Sequence, residues 1–288
     1  ATAYEMTDNL KNVGTLWMVA YKVIYMTNAL ITSFEEGKSS ELDQLLGEAY
    51  FMRALMHLNL VTLYAKPYSY GRDNLGIPLH TSTDNPAPFR AKVGDVYDQI
   101  VKDFTKASEL LGPSRGNKGY PSKDAALGLL SRVHLYMENW DEVVNTVDAM
   151  LAGNAPITKL EVDYPSLFTN AKTAGESLFC IAHETTDTRG QSSIGSMYLK
   201  DTTEGSNVIS WGEIYPSNTL LYHYERYQED VRYSKIILPQ YLAAGTMTAY
   251  LPVAAQEGGI SIGRSNLIAT ATPVGDNFTC TVDGTKYT

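Results

Sequence analysis

Apolar side chains return every three or four positions from Leu10 onward. Val13, Trp17, Ala20, Tyr21, Ile24 and Ile31, with Asn28 in register, draw one stripe along a first predicted helix. The link FEEGKSS follows, and Ser40 with Asp43 three residues later reads as a capping box that opens a second helix running to about Tyr64. Leu45, Ala49, Met52, Met56 and Leu60 form one face of that helix, while Leu46, Tyr50, Leu58 and Val61 fall on others. A helix apolar on several sides must be covered on several sides, so this one is an inner helix. Yet the stretch GEAYFMRALMHLNLVTLYAKPYS carries Arg53 and His57 in its middle. A buried guanidinium needs acceptors for its donors, so Arg53 is expected to tie the inner helix to the irregular chain packed over it.

Pro67, Gly71, Gly76, Pro78, Pro86 and Pro88 break regular structure as far as Arg90 and predict a long loop. Val93, Val96, Tyr97, Ile100, Phe104, Ala107, Leu110 and Leu111 restore the helical period until Gly112 and Pro113 stop it. Ser122 caps a fourth helix through Leu127, Leu130, Val133 and Tyr136, and Asn139-Trp140-Asp141 turns it into a fifth with Val143, Val147, Met150 and Leu151. Leu130, Ser131, His134, Trp140, Val143 and Val147 fall where a tetratricopeptide unit places its packing residues, with Pro156 just beyond. Trp17 and Trp140 are therefore expected in core or inter-helix packing. After Pro156 the period fades. Glu176 to Glu184 is a candidate strand, one more helix follows Ser217, and the Gly-rich tail to Thr288 is expected to be extended.

Composition narrows the partners. Lys and Arg number 23 against 32 Asp and Glu, a net charge of −9, with no basic cluster to neutralise a phosphate backbone, so nucleic acid is not an expected partner. Cys180 and Cys280 are the only cysteines and spell out neither a disulfide framework nor a zinc site. The longest uncharged run, Ile236 to Gln256, is interrupted by Pro239, Gln240, Gly245 and Pro252 and reads as loop and strand. The opening ATAYEMTDNL shows neither a basic n-region nor an apolar h-region, so any targeting peptide was removed or never included.

No catalytic constellation stands out. There is no Gly-x-Ser-x-Gly elbow and no phosphate-binding glycine loop, and His183-Glu184 lacks the second histidine of a zincin. No cofactor is expected; exposed Asp and Glu could ligate calcium, but no EF-hand-like spacing indicates it. Tyr outnumbers Phe by 20 to 7, a bias toward rings that pair an apolar face with a hydroxyl. Trp211 has no periodic partner and sits beside Glu213 and Tyr215. Tyr198, Trp211 and Tyr215 could form an aromatic platform flanked by Asp201, Asn207 and Glu213, as sugar rings favour, or could equally pack the loop down.

The order Trp17, Tyr21, Ile24, Asn28, then the Arg53 helix, then GIPL at Gly76 to Leu79, resembles the SusD/RagB family of Bacteroidetes outer-membrane glycan-binding lipoproteins. VYDQIVKDFTKASELL, KDAALGLLSRVHLYMENWDEVV, ESLFCIAHE and YPSNTLLYHYERYQEDVR follow in the family's order, the last ending in Asp230-x-Arg232. The resemblance runs from about Trp17 to Arg232. It implies a mainly α fold, a SusD-like helical scaffold of tetratricopeptide-like pairs with a loop-rich, partly extended second half. On that scheme residues 1–288 form a single domain, helical over about 10–156 and loop-rich with the ligand surface over about 157–288. The family's signal peptide, lipidated cysteine and C-terminal helices are absent, so the chain resembles a fragment or a processed form.

The resemblance further implies non-catalytic binding of oligosaccharide or polysaccharide, delivered to a SusC-like TonB-dependent transporter. It implies a surface-exposed, outer-membrane protein that meets the membrane only through an N-terminal lipid anchor. Two other readings compete with it: a tetratricopeptide-type scaffold whose partner is protein alone, and a glycan hydrolase built on a carboxylate pair that no spacing picks out.

Overall fold

The computed structural model describes residues 11–84, 89–152, 164–181, 216–227 and 229–232, with strand residues 241–243, 246–250, 268–274, 277–282 and 285–287. The chain divides into two compact units, Ala1–Ala182 and His183–Thr288.

In the first unit α1 (Lys11–Ser33) and α2 (Ser40–Tyr64) are followed by a short turn of 3-10 helix at Tyr68–Tyr70 and by strands β1 (Leu75–Pro78) and β2 (Arg90–Lys92). Then come α3 (Val93–Leu110), α4 (Lys123–Tyr136), α5 (Trp140–Ala152) and α6 (Tyr164–Thr169). From α1 to α5 each helix packs on the next, as in solenoids whose neighbours bury one another's apolar faces. The class is mainly α, as the periodicity predicts. Ile24, Phe51, Leu60, Ile100, Phe104 and Val133 are wholly buried in one core, each worth roughly 1.5–3 kcal/mol of burial. The inner position of α2 follows from its sequence: it packs on α1, α3 and β1. At Gly47 a Cβ would stand 2.9 Å from Leu111 Cγ, so the glycine lets the end of α3 approach.

Helix boundaries differ in one detail. The N-cap of α2 is Ser39 rather than Ser40, and its hydroxyl accepts from the Leu42 N–H at 3.3 Å. Asp43 instead accepts from the Gly37 N–H at 2.7 Å, so the reciprocal box is not formed. With two serines side by side, Ser39 is the one whose Oγ reaches the third helical N–H. Ser122 caps α4 as predicted, accepting from Ala125 N–H at 3.3 Å.

The segment between α2 and α3 is more ordered than a loop. Strands β1 and β2 pair antiparallel, Leu75 with Lys92 and Pro78 with Arg90. Arg90 holds the hairpin to α2, donating from Nε to Gly76 O at 2.6 Å and from Nη2 to Tyr64 O at 2.9 Å. A cation at the last carbonyl of α2 also meets the negative end of its dipole. The first N–H groups of α3 find no side-chain cap. Val93 donates to Asn74 O and Gly94 to Arg72 O, both at 2.9 Å, and these carbonyls satisfy the helix start.

Two expectations are corrected. Trp140 is 61% exposed and takes no part in the core. It is the first residue of α5, and the α4–α5 contact is made further on by Leu127, Val147 and Met150. Residues 176–181, the described part of the expected strand, form no strand. Cys180 N–H bonds to Lys118 O at 2.9 Å and Lys118 N–H to Lys172 O at 2.8 Å, while Phe179 stacks edge-on against Phe51. Packing into gaps between helices, with isolated hydrogen bonds, replaces a ladder there.

In the second unit α7 (Asn218–Arg226) is capped by Ser217, whose hydroxyl accepts from Leu220 N–H at 3.2 Å. Strands β3 (Tyr241–Ala243), β4 (Thr246–Tyr250), β5 (Ile268–Val274), β6 (Asn277–Val282) and β7 (Thr285–Tyr287) pair antiparallel in chain order. The extended tail is thus a five-stranded meander. No helix among the described residues is long and apolar enough to cross a membrane.

Candidate functional site

Two buried charges of the first unit, Arg53 and Asp103, lie where α1, α2 and α3 meet residues 80–82. Arg53, only 4% exposed, donates from Nε to Asp103 Oδ2 at 2.8 Å and from Nη2 to Oδ1 at 2.6 Å. This bidentate pair is the geometry a planar guanidinium favours. Its Nη1 donates to Asn28 Oδ1 at 2.8 Å and to Thr81 O at 3.3 Å. Asn28 then turns its amide outward, Nδ2 donating to Ser82 O at 3.0 Å and His80 O at 3.3 Å. Gln99 Nε2 donates to Asp103 Oδ1 at 2.8 Å. Three consecutive loop carbonyls are therefore held by two side chains from different helices, and Asp103 supplies the charge that makes the arrangement affordable.

The acceptors that Arg53 needs are a carboxylate, an amide oxygen and a loop carbonyl, none of them adjacent to it in sequence. A signal existed for Asp103: it lies between Ile100, Phe104 and Ala107 on the buried face of α3, a charge on an apolar stripe. Asn28 falls in register with the α1 stripe, and nothing in its spacing marks it as a partner of Arg53.

His57, one turn after Arg53, is wholly buried, and neither ring nitrogen has a hydrogen-bond partner among the described residues. Burial, with the like charge of Arg53 beside it, pulls its pKa down to about 3; the Arg53 carbonyl pulls weakly the other way. The ring is neutral at neutral pH.

Outward from this clamp lies a cavity of about 100 Å³ lined by Tyr21, Ile24, Tyr25, Asn28, His80 and Ser82. The Tyr21 hydroxyl donates to Pro78 O at 2.8 Å, and burial raises its pKa far above the usual phenol value. Its ring meets that of His80 edge-on at 5.4 Å and that of Trp17 at 4.9 Å, and Trp17 also meets Tyr64 at 4.9 Å. Trp17 is thus an inter-helix packing residue. The GIPL sequence fits its place here: a Cβ on Gly76 would lie 2.9 Å from Ala91 O, Ile77 is wholly buried, and Pro78 receives Tyr21.

Tyr198, Asp201, Asn207, Trp211 and Tyr215, with Glu213 and the His183-Glu184 pair, lie outside the described residues. In the second unit Arg232 grips Asp230 by Nε and Nη2 and stacks over Tyr224 at 5.8 Å. That bond lowers the Asp230 pKa, and the Asp-x-Arg pair is a local clasp just beyond α7. Among the described residues no three His, Cys, Asp or Glu side chains are placed to hold a metal ion.

Comparison with known proteins follows the same architecture. Residues 2–135 match a SusD-like family described as starch-binding associating with outer membrane. SusD-like protein P2 of Formosa agariphila is 26% identical over 221 residues, covering 73% of this chain and 42% of that protein. A solved SusD superfamily protein from Bacteroides thetaiotaomicron superposes with a TM-score of 0.64 at 27% identity, covering 79% of this chain and 50% of that one. A structure described as a putative sugar binding protein from Bacteroides vulgatus gives 0.55 at 25% identity, covering 64% and 44%. The chain spans half the length of these relatives or less. Over residues 2–135 the chain is thus similar to the SusD-like family, and solved SusD superfamily proteins share its fold.

Proposed function

We propose that the protein binds oligosaccharide or polysaccharide without cleaving it and hands it to a SusC-like TonB-dependent transporter. It does so at the outer membrane, exposed on the cell surface and held by a lipid anchor. The observation that carries this reading is the match of residues 2–135 to a family described as starch-binding and associating with the outer membrane. The putative sugar binding relative from Bacteroides vulgatus supports it. The aromatic platform of Tyr198, Trp211 and Tyr215, with Asp201 and Asn207 as hydrogen-bonders, remains part of the proposal, because flat rings beside amides and carboxylates suit sugar faces and hydroxyls. A glycan array on the folded protein and on Trp211→Ala tests it. Binding in the parent that is lost in the variant at unchanged stability is the expected result. A folded parent that binds no glycan would sink the reading.

A second reading, a scaffold whose partner is protein alone, is favoured by one feature. The outward face of α1 carries Met18 (66% exposed), Val19 (52%) and Met26 (56%), and apolar groups clustered on a surface mark interaction sites. Co-purification with a transporter that sugar leaves unchanged, without glycan binding, would select it.

A further inference from the structure

We infer that the cavity between α1 and residues 80–82 is a sugar-ring subsite for a neutral pyranose, a proposal that rests on the glycan-binding reading above. Its walls are chiefly the rings of Tyr21, Tyr25 and His80 with Ile24, and no Asp, Glu, Lys or Arg lines it. A ligand with an apolar face and no charge is what such walls accept. The size admits part of one ring. An apolar cavity of roughly 150 Å³ holds benzene, so about 100 Å³ opening to solvent seats one six-membered ring by its edge and not an extended chain.

The polar groups decide between a sugar and a purely aliphatic guest. Asn28, Ser82 and Tyr21 are committed: Asn28 to the loop carbonyls, Ser82 Oγ to Asp84 O at 3.3 Å, and the Tyr21 hydroxyl to Pro78 O. Tyr25 Oη and the His80 imidazole have no hydrogen-bond partner among the described residues. Burial lowers the His80 pKa, so the ring stays neutral and offers one donor and one acceptor. An aliphatic side chain would satisfy neither group, whereas the hydroxyls around a pyranose would meet both. The pocket floor is preorganised, since Arg53 and Asn28 hold the backbone of residues 80–82, and a site fixed before binding forfeits less entropy.

The test is titration calorimetry with neutral oligosaccharides that the parent binds, repeated on Tyr25→Ala, His80→Ala and Met18→Ala, each checked by circular dichroism and melting. Tyr25 is 56% exposed, so its truncation spares the fold, and Met18 is an exposed α1 residue outside the lining. Tyr25→Ala is expected to weaken binding about tenfold, the loss of one stacked ring. His80→Ala weakens it several-fold, and Met18→Ala leaves it unchanged. Equal affinity in the parent, Tyr25→Ala and His80→Ala would overturn the subsite while leaving glycan binding intact. A folded parent with no affinity for any glycan overturns both.

Discussion

Replacing Arg53 by Met removes a charge from a place where its partner cannot find water. Asp103 is 1% exposed and receives two of its hydrogen bonds from Arg53, at 2.6 and 2.8 Å. In the variant the carboxylate keeps only Gln99, at 2.8 Å, while Asn28 Oδ1 and Thr81 O lose their shared donor. Deleting one partner of a buried ion pair costs about 3–5 kcal/mol, because the surviving charge stays desolvated. For a unit of this size each kcal/mol lowers the melting temperature by roughly 2–4 °C, so a fall of about 6–20 °C is expected. Arg72→Met is the internal control: its pair with Asp98 has side chains 55% and 52% exposed, and exposed pairs are worth about 0–1 kcal/mol. The assay is urea unfolding followed by circular dichroism, comparing midpoints at unchanged slope. Combining Arg53→Met with Asp103→Leu removes both charges and should recover much of the loss. An Arg53→Met protein within about 1 kcal/mol of the parent, or a double variant less stable than the single one, would refute the clamp as a buried pair.

Other predictions follow from the same geometry. His57 is neutral when folded, with a pKa of about 3, and about 6.5 when unfolded. Its contribution to stability is therefore intact above pH 6.5 and is lost as pH falls from there toward 3, about 2 kcal/mol by pH 5. His57→Leu should flatten stability against pH over that window, and equal slopes in the two proteins would exclude His57 as the cause. Gly76→Ala sets a Cβ against backbone on three sides, 2.9 Å from Ala91 O, 3.1 Å from Lys92 C and 3.1 Å from Val93 N. It should cost about 1–3 kcal/mol by overpacking. Gly14→Ala, with nothing within 4 Å of the new Cβ, should stabilise α1 by about 0.5–1 kcal/mol. Midpoints moving the same way in the two glycine variants would contradict this contrast.

The helices were legible because their signals are local. An apolar residue every three or four positions, Ser122 before α4 and Gly112-Pro113 after α3 each act within a few residues of the boundary they set. The hairpin was hidden by the same reasoning, since Gly76 and Pro78 read as breakers when they are the positions where β1 lies close to β2 and meets Tyr21. The candidate site was legible by half. That Arg53 must be paired follows from its helix, but Asp103 lies 50 positions away and Asn28 lies 25 away. Only the crossing of three helices brings them together. Tyr25 and His80 gave no pattern at all, because a pocket between a helix face and a loop depends on how far the loop is drawn in, and Asn28 decides that here. Trp140 misled for a related reason: a tetratricopeptide register places a residue along the helix, while burial depends on what else packs at that end.

The most direct test of the account is titration of the folded protein with neutral polysaccharides and oligosaccharides in a calorimeter, with reducing ends assayed in the recovered sample. Saturable binding with no new reducing ends is predicted. No binding across the panel, or release of new ends that stops when one carboxylate is neutralised, would contradict it.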